Sequence, residues 1–273
     1  MVYNNSTNLY GTNAFIVSST PGKGNYLTIA SAITAASSGD TVFIKDGDYT
    51  EDLTMKAGVN LTTDYSDGNS SGVTITGTVT CNYTGSCYIA GISLKPNVSA
   101  CIASASGTPV LNLINCYIIC ANTTYAMGSN NAAFQIILTG CTADTTSPTN
   151  TLFSWSSIDF CQFVNCNFAN QTYGITEVCL AYSNKTEFDN CINEFPITCN
   201  GTGYVIINNT TMDTSAGNAW CLTVNNSTTG VSQVNNSTLY SGTAGGIRTG
   251  TSTQVYVSYS MLYNTNTYDI STA

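Results

Sequence analysis

The sequence predicts an all-β chain folded as a right-handed, single-stranded parallel β-helix of roughly 25-residue coils, closed at its N-terminal end by a short capping helix. Three observations lead there. A six-residue motif ending in cysteine recurs at a 25-residue step, at Cys116, Cys141, Cys166 and Cys191. The residues leading into each cysteine alternate between apolar and polar, which is the period of a strand. The polar fraction of the chain is Asn, Thr, Ser and Gly, and charged residues make up only 8%, against about 25% in ordinary globular domains.

The motif reads Leu111-Asn112-Leu113-Ile114-Asn115-Cys116, then Ile136-Ile137-Leu138-Thr139-Gly140-Cys141, Cys161-Gln162-Phe163-Val164-Asn165-Cys166 and Thr186-Glu187-Phe188-Asp189-Asn190-Cys191. A weaker copy precedes it at Tyr88-Ile89-Ala90-Gly91. Copies ending in Thr210, Ser237 and Ser260 follow, at steps of 19, 27 and 23 residues. Three columns emerge. An apolar residue lies three before the anchor (Leu113, Leu138, Phe163, Phe188, Ile207, Val234, Val257). Asn or Gly lies one before it (Asn115, Gly140, Asn165, Asn190, Asn209, Asn236). An apolar residue often returns two after it (Ile118, Phe168, Met212, Leu239, Leu262). A short strand therefore runs into a tight Asn turn and a new strand leaves it. Stacked coils lie about 4.8 Å apart, so equivalent residues sit one above another. Asn115, Asn165 and Asn190 are expected to form a ladder, since Asn tolerates unusual backbone angles and bonds its own copies. Cys116, Cys141, Cys166 and Cys191 are expected as a stack of small, weakly polar core residues.

Ahead of the coils, residues 1–25 are polar and aperiodic and read as an N-terminal arm. Residues 26–61 read as the capping helix and first coils, and 62–273 as the β-helix body. Leu27, Ile29, Ala30, Ile33 and Ala36 fall near helical spacing, with Gly39 as the expected C-cap. Thr41-Val42-Phe43-Ile44 follows as a buried strand and Lys45-Asp46-Gly47-Asp48 as a turn. A solenoid end exposes core and unpaired backbone, so a cap is physically required.

The run Thr28-Ile29…Ala32-Ile33…Gly39-Asp40-Thr41-Val42-Phe43-Ile44…Gly47-Asp48-Tyr49-Thr50-Glu51…Gly58-Val59-Asn60-Leu61 resembles the opening coils of pectin-lyase-like right-handed β-helix proteins. It is particularly similar to uncharacterised members among phage and other viral structural proteins. The resemblance implies the fold. It leaves chemistry open, because this fold hosts lyases, hydrolases, adhesins and virion fibres.

Composition narrows the function classes. Net charge is −9 with six Lys plus Arg and no cationic cluster, which argues against nucleic acid and anionic membranes as partners. No stretch approaches the ~20 apolar residues of a membrane span. The first residues show neither a basic nor an apolar segment of a signal peptide. The sequons, including those at Asn97, Asn170 and Asn236, are therefore given no weight, and the cysteines are expected to be free thiols in a reducing compartment.

Candidate chemistry is sparse. There is no His, and the cysteines lack the short converging pairs of a zinc site; Cys116/Cys120 and Cys161/Cys166 have no second pair to complete them. No cofactor or metal is expected. Asp46, Asp48, Glu51 and Asp52 form an acidic patch without the order of an EF-hand. Glu187 and Asp189 share one strand face, about 6–7 Å apart along the strand, within the span of a glycosidase pair, and Asp159 lies one coil earlier. They are the only catalytic candidates, and solvated outward side chains are the favoured reading. Trp155 and Trp220, with Tyr173, Tyr240, Tyr256 and Tyr263, are candidates for glycan contact or for packing.

These observations favour a non-enzymatic structural virion surface protein, a fibre, spike or capsid-decorating appendage. It is expected to assemble in the host cytoplasm as a homotrimer and to meet other virion proteins through the N-terminal arm. A polysaccharide-degrading lyase or hydrolase of tailspike type is the first alternative. A glycan-binding adhesin is the second.

Overall fold

The protein is described by a computed structural model covering residues 14–64, 72–97, 100–120, 125–145, 151–168, 178–179, 183–194, 196–200, 203–214, 220–225, 231–242, 244–250, 253–264 and 270–272. It is a parallel β-solenoid, the architecture that the repeat and the resemblance both implied. Three sheets, here called A, B and C, run the length of the coil stack. In the coil that opens at Thr108, sheet A takes Thr108–Ile114, sheet B takes Tyr117–Cys120 and sheet C takes Tyr125–Asn130. The next coil follows with Gln135–Thr139, Thr142–Thr145 and the first part of Thr151–Val164. Sheet B is ten-stranded among the described residues. Sheets A and C merge because Thr151–Val164 turns their shared corner without a break, pairing with Tyr125–Asn130 at one end and Gln135–Thr139 at the other. The pairing shifts register at Ser129/Asn130, where that strand bends.

The stacking register matches the sequence columns. Leu113 pairs with Leu138, Leu138 with Phe163, Phe163 with Phe188, and Phe188 with Ile207. The irregular late steps also hold their register: Ile192 pairs with Thr211, Thr211 with Thr238, and Thr238 with Met261. The A-to-B turn is two residues in every coil from Asn115-Cys116 to Tyr259-Ser260. Variation in coil length is therefore taken up at the other two corners.

Alternation places one residue of each pair inside. Leu113, Leu138, Phe163, Phe188, Ile207 and Val234 are buried, as are Ile118, Phe168, Met212 and Leu239 from sheet B. Phe163 and Phe188 stack with ring centroids 4.5 Å apart, and Phe168 meets Phe163 edge-on at 5.6 Å. Where the third column lapses, Ala143 and Asn193 fill the position, the latter a buried polar side chain that the apolar pattern did not anticipate.

The helix spans Ile29–Ala35 and buries Ile29, Ala32 and Ile33. It occupies the place that strands of sheets B and C hold in later coils, between strands Phe15–Val17 and Thr41–Ile44 of sheet A. Its start is set by Thr28, whose side chain accepts from the Ser31 N–H. Leu27 therefore lies outside the helix and is 57% exposed, which corrects its assignment to the apolar stripe. Gly39 is not the C-cap either. Ala36 holds that position, and Gly39, at φ 99°, serves the following turn. Both ends are closed by the next coil. Glu51 accepts from the Ile29 and Ala30 N–H groups at 3.0 Å each, and the Lys56 ammonium donates to the Thr34 and Ala36 carbonyls. A carboxylate at the N-terminus and an ammonium at the C-terminus both complement the helix dipole.

Two further details differ from the expected layout. Phe15–Val17, inside the stretch read as an arm, pairs in parallel with Val42–Ile44. Gly47 and Asp48 open the strand Gly47–Thr50, so the turn is confined to Lys45 and Asp46. The corner is held by an ion pair between Lys45 and the buried Asp64 carboxylate at 3.3 Å.

Because Phe163 is fully buried between ring neighbours, Phe163→Ala is expected to cost about 3–5 kcal/mol. Phe163→Leu should cost less than about 1.5 kcal/mol. Urea melts followed by circular dichroism measure both, and a leucine variant as stable as the wild type would show that the ring stack contributes nothing beyond its volume.

Candidate functional site

The repeated A-to-B turn carries most of the residues singled out from the sequence. Asn115, Asn165, Asn190, Asn209 and Asn236 all adopt positive φ between 47° and 54°, and Gly91 and Gly140 take the same place at 70° and 64°. That is the left-handed region, which Asn and Gly enter at least cost. The amide of Asn190 donates to the Asn165 side-chain oxygen at 2.7 Å, and that of Asn236 donates to Asn209 at 2.7 Å. The ladder is interrupted elsewhere. Asn209 turns to the Asp189 carboxylate at 3.0 Å. Above Asn115 stands Gly140, and the Asn115 Oδ1 fills the space that a Cβ there would take, 2.3 Å from its position. The last copy of the position, missed in the sequence, is Tyr259, at φ 48° and 94% exposed.

The anchor column does more than pack. The single S–H of each thiol lies within reach of two carbonyls, one in its own coil and one in the coil before, which share it. Cys141 reaches Thr139 and Leu113, Cys166 reaches Val164 and Leu138, and Cys191 reaches Asp189 and Phe163, all at 3.4–3.6 Å. The hydroxyls that replace cysteine repeat the arrangement. Thr210, Ser237 and Ser260 donate to the carbonyls of Asn208, Asn235 and Ser258 at 2.7–2.8 Å. They accept in turn from the anchor N–H one coil earlier at 3.1–3.3 Å. The column thus requires a small side chain that both gives and takes a hydrogen bond, and Cys, Thr and Ser meet that requirement. Cys116 and Cys166 are held above the ordinary thiol range, Cys116 by its hydrogen bond with Cys141 and then by burial, Cys166 by its hydrogen bonds with Cys141 and Cys191 and then by burial. That keeps them protonated. The four thiols are buried and line the axis, and among the described residues no group of three or more His, Cys, Asp or Glu could hold a metal.

The outward carboxylates of sheet A form a second constellation. Glu187 and Asp189 share one face of Ser183–Asp189, as alternation requires. Their oxygens are committed to neighbours. Glu187 accepts from the Gln162 amide at 2.9 Å and pairs with Lys185 two residues along the strand. Asp189 accepts from Asn209. Asp159 accepts from Gln135 at 2.8 Å and Asn184 at 3.0 Å. Asn184 lies three residues before Glu187, about 10 Å along a strand, so Asp159 serves a different point of the face. The acidic patch near the cap is likewise divided: Glu51 holds the helix, Asp52 accepts from the Thr78 N–H at 2.8 Å, and Asp48 is exposed.

The aromatic candidates separate. Trp155 lies on Thr151–Val164 with its backbone paired to Ser129; its side chain is outside the described set. Tyr173 also lies outside the described residues. Trp220 is half-buried beside the buried Cys221. Tyr240 and Tyr263 stack at 4.9 Å on the outer face of sheet B, and Tyr256 on sheet A is 62% exposed. No protein-family model matches the chain, and none of the curated proteins matches it significantly.

Cys166→Ser is expected to change stability by less than about 1 kcal/mol, because the hydroxyl can make the same bonds, whereas Cys166→Ala should cost about 1–2 kcal/mol. Chemical denaturation under reducing conditions measures both. A serine variant as weak as the alanine one would refute the two-way hydrogen-bonding role.

Proposed function

We propose that this chain is a structural, non-enzymatic rod, a fibre, spike or capsid-decorating appendage of a virion surface, built as a homotrimer. The observation that carries the reading is how the outward polar groups of sheet A are used. Gln135 with Asp159, Gln162 with Glu187, and Asn209 with Asp189 each join one coil to the next. A glycosidase acid must be kept protonated and its partner must face substrate, whereas these carboxylates serve as rungs between coils. The resemblance of the opening coils to phage and viral β-helix proteins favours a virion setting, with assembly in the host cytoplasm and attachment through the N-terminal segment. Rigid projection is the mechanism, and no cofactor enters it.

A glycan-binding adhesin is the second reading, favoured by the exposed rings of Tyr256 and Tyr263, at 62% and 53%. Glycan-array binding that Tyr263→Ala or Trp220→Ala abolishes would move the assignment there.

The primary test has two arms. Incubation with a panel of acidic and neutral polysaccharides should release no reducing ends or unsaturated products. Turnover that falls with Glu187→Gln and Asp189→Asn would overturn the non-enzymatic reading in favour of a tailspike-type depolymerase. Light scattering on reduced protein should give three times the 28.7 kDa chain mass, and a monomer at all concentrations would overturn the assembly.

A further inference from the structure

Four buried thiols stand in one line along the core. Cys116, Cys141, Cys166 and Cys191 occupy the same place in four successive coils, the second residue of the A-to-B turn. The residue after each anchor donates its N–H to the cysteine one coil earlier: Thr142 to Cys116, Asn167 to Cys141 and Ile192 to Cys166, at 3.0 Å each. The stack therefore keeps its register throughout, with successive Cα atoms about 4.8 Å apart. A disulfide needs Cα atoms about 4.4–6.8 Å apart and Cβ atoms about 3.5–4.5 Å apart. Stacked Cβ atoms enter that range by closing about 0.3 Å. All four cysteines are free thiols.

The hydrogen bonds of the column do not oppose bridging. A bridge removes two S–H donors, and the carbonyls of the turn that they reach keep another. Ile114 also accepts from the Gly91 N–H, Thr139 from Asn115, Val164 from Gly140 and Asp189 from Asn165, at 2.8–3.0 Å. No acceptor of this set is left unpaired, which is the usual cost of deleting a buried donor. Thr210, Ser237 and Ser260 serve the same column with the same bonds. Hydrogen bonding alone therefore does not call for sulfur in four coils running. What a thiol adds is the capacity for a covalent bond to its own copy.

We propose that the stacked cysteines are a staple site, in which Cys116 bridges to Cys141 and Cys166 to Cys191 when the chain meets a low-molecular-weight disulfide. In each closure one cysteine attacks the small disulfide as a thiolate and releases one small thiol. Its stack neighbour then displaces the other half. Two protein thiols are oxidised to one protein disulfide, and one small disulfide is reduced to two small thiols, which take up both protons. Pairing from the ends uses all four thiols, whereas a central Cys141–Cys166 bridge leaves the outer two unpaired. Each staple closes a 25-residue span and so restrains the unfolded chain. Because the thiols are buried, exchange runs through transient opening of the corner. The staples do not depend on the virion setting.

The test incubates native protein with oxidised glutathione in urea below its unfolding transition. The protein is then unfolded in an alkylating reagent, digested and mapped by mass spectrometry. The expected result is Cys116 linked to Cys141 and Cys166 to Cys191, with an unfolding midpoint raised above that of reduced protein and restored by dithiothreitol. Cys161 stacks between Ile136 and Thr186 rather than on another thiol, and is expected to be recovered alkylated. Cys141→Ser, with its fold checked by circular dichroism, is expected to leave Cys116 alkylated while Cys166 stays linked to Cys191. Recovery of all four wild-type cysteines as alkylated thiols or as glutathione adducts overturns the proposal, and so does a Cys141–Cys166 link alone.

Discussion

Everything in this molecule depends on the hydrogen bonds that lock the A-to-B turn of one coil onto the next. The residue before each anchor donates its N–H forward, as Asn115 does to Thr139, Asn165 to Asp189 and Asn236 to Ser258, at 2.8–3.0 Å. The residue after the anchor donates backward, as Thr142 does to Cys116, Asn167 to Cys141 and Met261 to Ser237, at 2.9–3.0 Å. The anchor side chain fills the space between and bonds in both directions. Two residues, the second of them buried, therefore pair the backbone groups of a sharp corner with those of the adjacent coils. An unpaired group there would cost about 1–3 kcal/mol in each coil.

This constraint explains the composition. A corner with φ near +50° admits Asn and Gly. An interior donor with room for only three heavy atoms admits Cys, Ser and Thr. The flanking strands alternate, so half their residues are apolar and the other half form ladders with their copies. Little is left for charge to do, because adjacent coils would stack like charges at about 4.8 Å. Where carboxylates do occur outside sheet A's core they meet amides, as at Gln162 with Glu187, or a lysine, as at Lys185 with Glu187.

The ends of the coil stack face a different problem, since a solenoid has no neighbour there. At the N-terminal end the helix covers the core, and its own termini are closed by Glu51 and Lys56 from the coil beneath. At the last described coil the pattern loosens: Val257 is 37% exposed and Tyr259 occupies a backbone position that upstream coils reserve for Asn or Gly. A bulky side chain in that region is costly.

The repeat by itself determined the fold class, the strand alternation, the turn positions and the stacking register, even through the 19-, 27- and 23-residue steps. In a solenoid each residue's neighbours are its own copies, so a one-dimensional period encodes the three-dimensional contacts. What the period does not encode had to come from tertiary structure. The exclusion of Leu27 from the helix followed from how Thr28 capped it, and the roles of Glu51 and Lys56 from which groups the second coil presents to the first. The pairing of Lys45 with Asp64 and the burial of Asn193 lie outside any repeat. The use of Glu187, Asp189 and Asp159 as rungs between coils was equally invisible, because a carboxylate two residues from another has the same spacing whether it faces a substrate or an amide. Only the side chains of the adjacent coils decide which.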